Sequence, residues 1–170
     1  TPDDDMVRTD LPDLFPPECD EVHVSVTFTY DIPRAEILAE AWKHIAPVRM
    51  GGPALKDRGD EFTPGLYLKK GNVITSRGCP NKCWFCMAAE REGALRELPI
   101  TDGWKVHDNN LLACSKEHIR NVFAMLSRQP HRASFVGGLE AARMEPWIAA
   151  SLALLKPKTM YFAYDMPSDK

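Results

Sequence analysis

Residues 21 to 30, "EVHVSVTFTY", alternate without a break: Val22, Val24, Val26, Phe28 and Tyr30 on one side, His23, Ser25, Thr27 and Thr29 on the other. A period of two predicts a β-strand. The period then changes. Asp31 stands where an N-cap belongs, Pro33 falls in a first helical turn, and Ile37, Leu38, Ala41, Trp42 and Ile45 share one helical face. "PVRMGGPA" predicts a short strand ending at Gly51 and Gly52. Residues 21–54 thus form one βαβ unit, less than a complete dinucleotide-type sheet. The proline-rich residues 1–20 predict an extended lead-in.

The charged stretch "KDRGDEFTPG" places a boundary near Gly65, dividing residues 1–65 from 66–170. Beyond it, strand and helix patterns alternate again. "NVITS", "WKVHDNN", "ASFVGGLE" and "TMYFAYD" predict four strands, the third with paired glycines at its end. Ser115 caps a helix that carries Ile119, Val122, Phe123 and Leu126 on one face. Pro146 and Pro157 bracket another, with Trp147, Ile148, Leu152 and Leu155, while "MAAEREGALREL" reads as part helix, part loop. Such alternation implies an α/β fold: a parallel sheet with helices outside, open or curling into a barrel. Ligands of these sheets bind beyond the carboxyl ends of the strands. Polar residues gather at those ends here: cysteines after "NVITS", Asp108 to Asn110, Gly137 to Glu140, and Asp165.

Composition narrows the classes. With 170 residues, 44% of them hydrophobic, a packed core is expected. A net charge of −3 lacks the footprint of a nucleic-acid binder. No apolar run reaches membrane-span length, and the acidic start "TPDDDMVRTD" is unlike a signal peptide. The chain begins at Thr1 and stops just after a strand-like run, which predicts a fragment of a longer protein. Five cysteines are an odd number, and Cys79, Cys83 and Cys86 fall within eight residues. This pattern fits metal-binding thiolates in a reducing, cytoplasmic compartment better than a disulfide scaffold.

Clustered thiolates select zinc, copper(I) or iron–sulfur clusters. Structural zinc wants four protein ligands, commonly as two separated pairs. Here a single C-x3-C-x2-C run supplies three, and Cys114, His107 and His118 match no zinc spacing as a fourth. A cuboidal iron–sulfur cluster on three cysteines leaves one iron open to a small molecule. The plain alternatives are a zinc-binding or interaction module without catalysis, and three loop cysteines with no metal.

"CPNKCWFC" resembles the signature of the radical S-adenosylmethionine (SAM) superfamily, with an aromatic, Phe85, just before the last cysteine. The resemblance spans about residues 21–165 and is strong around 73–87. It implies a partial parallel (β/α) barrel of radical SAM type after a short Rossmann-like βαβ region. It also implies that Cys79, Cys83 and Cys86 hold a 4Fe-4S cluster whose open iron is chelated by SAM. Reductive cleavage of SAM would then yield methionine and a 5′-deoxyadenosyl radical that abstracts hydrogen from an unknown substrate. By the same resemblance Phe85 lies near the adenine and Asp165 near the ribose; Asp165 reads equally as a simple helix N-cap. Two stretches compete for the SAM amino group: "VGGLE" (Gly137, Gly138, Glu140) has the letters, and "HDNNLLA" (Asp108, Asn109, Asn110) has the position. Both also read as simple polar turns. An electron donor such as flavodoxin or ferredoxin is the implied partner. The first region resembles the cobalamin-binding domain of one branch of the family, but the D-x-H-x-x-G motif is not present. Cobalamin is therefore not expected, and His23 reads as an ordinary, partly buried histidine. Arg77, Lys82, Arg91 and Arg96 flank the cysteines and could offset cluster charge. The family core usually has six strands; only four are legible here.

Overall fold

A computed structural model describes residues 6–56 and 68–163 of the chain. They form two compact units, one within Asp3–Phe62 and the other within Thr63–Lys170. The boundary expected near Gly65, and Asp165 with it, lie outside the described residues.

The first unit is the βαβ unit that the pattern predicts. Strand β1 (Val22–Ser25) pairs in parallel with β2 (Val48–Gly51) across helix α1 (Ile32–Trp42). The alternation outruns the strand. Beyond Ser25 only the Val26 amide still donates to β2, to the Gly51 carbonyl at 2.9 Å, and Thr29–Asp31 turn into a short 3-10 helix ahead of the Pro33-containing first turn of α1. Phe28 and Tyr30, which the alternation sets on the same side as Val22, Val24 and Val26, lie exposed and stacked on each other at 5.2 Å. Asp31 occupies the N-cap position, but its side chain makes no capping bond. The buried stripe of α1 is Ala35, Ala39 and Trp42, with Ile37 exposed; small residues let the helix lie close on its two strands. His23 is exposed and pairs with Glu21 at 3.1 Å, not partly buried as expected. The lead-in is tied to α1: the Trp42 indole donates to the Asp10 carbonyl at 3.3 Å, and Arg34 donates to that of Thr9 at 3.1 Å.

The second unit is an α/β layer. Strands β3 (Asn72–Val73), β6 (Lys105–Val106), β7 (Ser134–Glu140) and β8 (Thr159–Ala163) form one parallel sheet in the order β3-β6-β7-β8. No closure into a barrel is seen among the described residues. Helices α3 (Lys116–Ser127) and α4 (Pro146–Leu155) supply the crossovers on either side of β7. Their inward residues, Ile119, Val122, Leu126, Ile148 and Leu152, meet Val73, Val106, Phe135 and Leu139 of the sheet in one apolar core. Ser115 caps α3 as its spacing predicts, accepting from the His118 amide at 3.2 Å. Such a cap stabilises by about 1 kcal/mol.

"NVITS" is not one strand. The chain leaves the parallel sheet after Val73, and Ser76–Arg77 (β4) pair antiparallel with Arg96–Glu97 (β5). Between β4 and β5 run the cysteines and the short helix α2 (Ala88–Glu92). The ambiguous "MAAEREGALREL" resolves into α2, a turn and β5. In β7 the paired glycines are not an end but a bulge: Phe135 pairs Met160 and Leu139 pairs Phe162, so Val136, Gly137 and Gly138 stand against Tyr161 alone. A bulge bends its strand and re-aims the side chains beyond it, here that of Glu140.

Candidate functional site

The cysteine loop begins at Gly78, which holds φ +82°. A β-carbon there would lie 2.2 Å from the Ala94 carbonyl oxygen, so the outgoing and returning arms of the loop close at that glycine. Within the loop the Cys86 amide donates to the Cys83 carbonyl at 3.0 Å, which folds those two cysteines into one turn. The Ala88 amide lies 3.5 Å from the Cys86 sulfur. Trp84 is 93% exposed, and Phe85 is exposed beside it with its ring edge-on at 5.5 Å.

Asp108 lies two residues beyond β6 and is 3% exposed. Its carboxylate accepts from the Thr75 amide at 2.6 Å, the Thr75 hydroxyl at 2.5 Å and the Ser76 hydroxyl at 2.9 Å. A buried carboxylate is tolerable only with such donors. Asp108 therefore latches the end of β6 to the point where the chain switches from β3 to β4. Asn109 accepts from the Gly78 amide at 3.0 Å and so holds the entry to the cysteine loop.

Asn110 goes further. Its side-chain nitrogen donates to Glu140 Oε2 at 2.7 Å and approaches the Cys79 sulfur at 3.5 Å. Glu140 Oε2 also accepts from Arg143 Nε at 2.6 Å, and Arg143 reaches Asn81 Oδ1, inside the cysteine loop, at 3.4 Å. Burial alone would raise the Glu140 carboxyl. The bonds from Asn110, Arg143 and Asn81 outweigh it and hold the group below its ordinary value.

The two stretches that competed in the sequence are thus neighbours. Gly137, in the β7 bulge, lies against the backbone of Asp108, and Glu140 shares a hydrogen bond with Asn110. The cysteine loop and the ends of β6 and β7 are joined by specific bonds. Gly138 sits beside Ala163 of β8 with ordinary clearance. Phe85 touches Trp84 and lies apart from this network in the bonds described. Asn81 and Arg143 escaped the sequence reading. Arg143 follows Glu140 by three residues, the spacing that lets a short 3-10 turn close an ion pair, and that spacing was the available signal. Thr75 and Ser76 passed for plain strand residues; two adjacent hydroxyls ending an apolar strand were the clue to a buried acceptor. Of the flanking cations, Arg77 lies 3.9 Å from Glu92, and Arg96 donates to the Glu92 carbonyl at 2.6 Å.

Among the described residues, no three His, Cys, Asp or Glu side chains converge as a cage for one metal ion. Three soft thiolates carried on one short loop are a donor set that suits an iron–sulfur cluster. Of the candidate fourth zinc ligands, His118 keeps a buried Nε2 that takes no hydrogen bond. His107 Nε2 bonds Asn72 Oδ1 at 2.7 Å, and His118 Nδ1 lies 3.7 Å from Glu97. The buried Cys114 thiol is pushed up to about 11, chiefly by desolvation, and so resists becoming a thiolate. No described helix is long and apolar enough to cross a membrane. Set beside known proteins, the chain matches no family model, no curated protein and no solved structure.

Proposed function

We propose that the chain is a radical SAM enzyme, or a piece of one, in which Cys79, Cys83 and Cys86 hold a 4Fe-4S cluster and the carboxyl ends of β6 and β7 form the surface for SAM. On this reading the four parallel strands are part of a radical SAM-type barrel. The observation that carries the proposal is the bond from Asn110 to both Cys79 and Glu140. It ties a C-x3-C-x2-C loop to two parallel strand ends, where α/β proteins bind their ligands.

When bound, the cluster and SAM supply the electron and the radical precursor for hydrogen abstraction from substrate. The chain's own residues bind and orient. Asp108 has its carboxylate taken up by Thr75 and Ser76, so it serves the site by fixing strand ends. Gly137 contributes a backbone without a side chain at the narrowest place. Glu140 stays ionised near neutral pH and offers negative charge to a cationic amine. Phe85 offers an exposed ring to a flat partner such as adenine.

Anaerobic loading with iron and sulfide tests the proposal. The expected product is brown, with broad violet absorption that bleaches on dithionite, and it releases 5′-deoxyadenosine from SAM. Replacing the three cysteines with alanine should abolish both. A chain that stays colourless and binds only zinc would sink the reading. A chain that loads a cluster yet releases no 5′-deoxyadenosine would be a binding remnant, not an enzyme.

A further inference from the structure

Asn110 is 4% exposed, and its amide has a fixed orientation. The Glu140 carboxylate accepts only, so the Asn110 NH2 group must face it; the flipped amide would set oxygen against oxygen. One N–H is spent on Glu140 Oε2 at 2.7 Å, and the same nitrogen lies 3.5 Å from the Cys79 sulfur with its second N–H still to place. Asn110 Oδ1 is buried and takes no hydrogen bond. The two contacts of the nitrogen are thus what the side chain offers. Arg143 Nε donates to the same carboxylate oxygen at 2.6 Å, so the amide is held by a group that is itself held.

We infer that Asn110 is a positioning residue for Cys79: anchored by Glu140, its amide donates to the Cys79 sulfur and raises the electron affinity of the cluster that this sulfur ligates. The inference rests on the iron–sulfur reading above. Its physical basis is general. A ligand sulfur gains negative charge when the cluster is reduced, and an N–H aimed at it favours the reduced state. Anchoring one N–H on the carboxylate fixes the plane of the amide, so the other N–H stays aimed at the sulfur.

The test compares the loaded wild type with Asn110→Ala and Asn110→Gln by potentiometric titration of the cluster. Asn110→Ala should cut the one-electron reduction equilibrium roughly tenfold, a shift of about 59 mV to more negative potential. Asn110→Gln, which keeps an amide, should recover part of it. Equal potentials in loaded wild type and Asn110→Ala would overturn the inference and leave the iron–sulfur reading standing. A wild type that takes up no iron or sulfide would overturn both. If Asn110→Ala fails to load, the wild type decides by itself. With asparagine labelled by nitrogen-15 at the side-chain amide only, the reduced cluster should show hyperfine coupling to that nitrogen, and no coupling would refute the bond.

Discussion

Gly137 packs so tightly on Asp108 that a β-carbon built on the glycine would fall 1.9 Å from the aspartate carbonyl oxygen. The neighbouring Gly138 has its nearest obstacle, the Ala163 β-carbon, at 3.6 Å. The pair that looks symmetric in "VGGLE" is therefore one indispensable glycine and one replaceable glycine.

Gly137→Ala must push β6 and β7 apart at the site, and overpacking of this kind costs about 1–3 kcal/mol. Gly138→Ala should stay within about 0.5 kcal/mol of the parent. Urea unfolding followed by circular dichroism measures both. Equal midpoints for the two variants would show that the close approach is not real.

Asp108 should prove a structural carboxylate. Asp108→Ala leaves three donors from Thr75 and Ser76 without their acceptor. Orphaned donors cost about 1–3 kcal/mol each, so the loss should reach several kcal/mol and appear in the metal-free chain. Thermal melting without iron reads it directly. An unchanged melting temperature would mean that the carboxylate is not a latch.

Glu140 gives the fold an acid-sensitive component. Burial works to raise its carboxyl, but the bonds from Asn110, Arg143 and Asn81 prevail and set it below the ordinary 4.5 in the folded chain. A lowered folded value adds stability that is present above the unfolded value and is lost as pH falls through the folded one. Stability measured from pH 6 downward should therefore fall below about 4.5. In Glu140→Gln that part of the fall should be missing, while the part due to Glu97, also lowered through its bond to the Ser115 amide, remains. Parallel pH curves for the two proteins would contradict this.

Cys114 should behave unlike the loop cysteines. It is buried, and desolvation pushes its thiol up to about 11, whereas Cys86 is exposed. At pH 8, iodoacetamide should label Cys86 readily and spare Cys114 until the chain is unfolded, as peptide mass mapping would report. The sign of the linkage is opposite to that of Glu140. A raised folded value adds stability that is complete below the unfolded value and fades as pH rises toward 11. Cys114→Ala should remove that alkaline loss. Equal labelling of Cys86 and Cys114 in the native chain would contradict the burial.

The order of elements was legible because period and punctuation agreed. Ser115, Pro146 and Pro157 sit where capping and proline rules place them, and the α3 face needed no correction. What failed was length. "EVHVSVTFTY" alternates for ten residues, but a strand lasts only while a neighbour offers hydrogen bonds, and β2 has four residues. The switch from β3 to β4 after Val73 is likewise a property of pairing partners far along the chain. At the site, the cysteine loop and the polar strand ends announced themselves. Their joining did not. Asn110 and Glu140 are thirty residues apart, and only the parallel register of β6 and β7 makes them neighbours.

The small antiparallel clasp of β4 on β5 sets the cysteine run outside the parallel sheet, as an excursion that leaves and returns by one gate at Gly78 and Ala94. Ring closure is already achieved by the clasp, so seating or losing an inorganic guest need not melt the layers behind it. If the proposed cluster is held there, air-damaged material is expected to be recoverable by reduction and reloading of the folded chain, with no denaturation and renaturation in between.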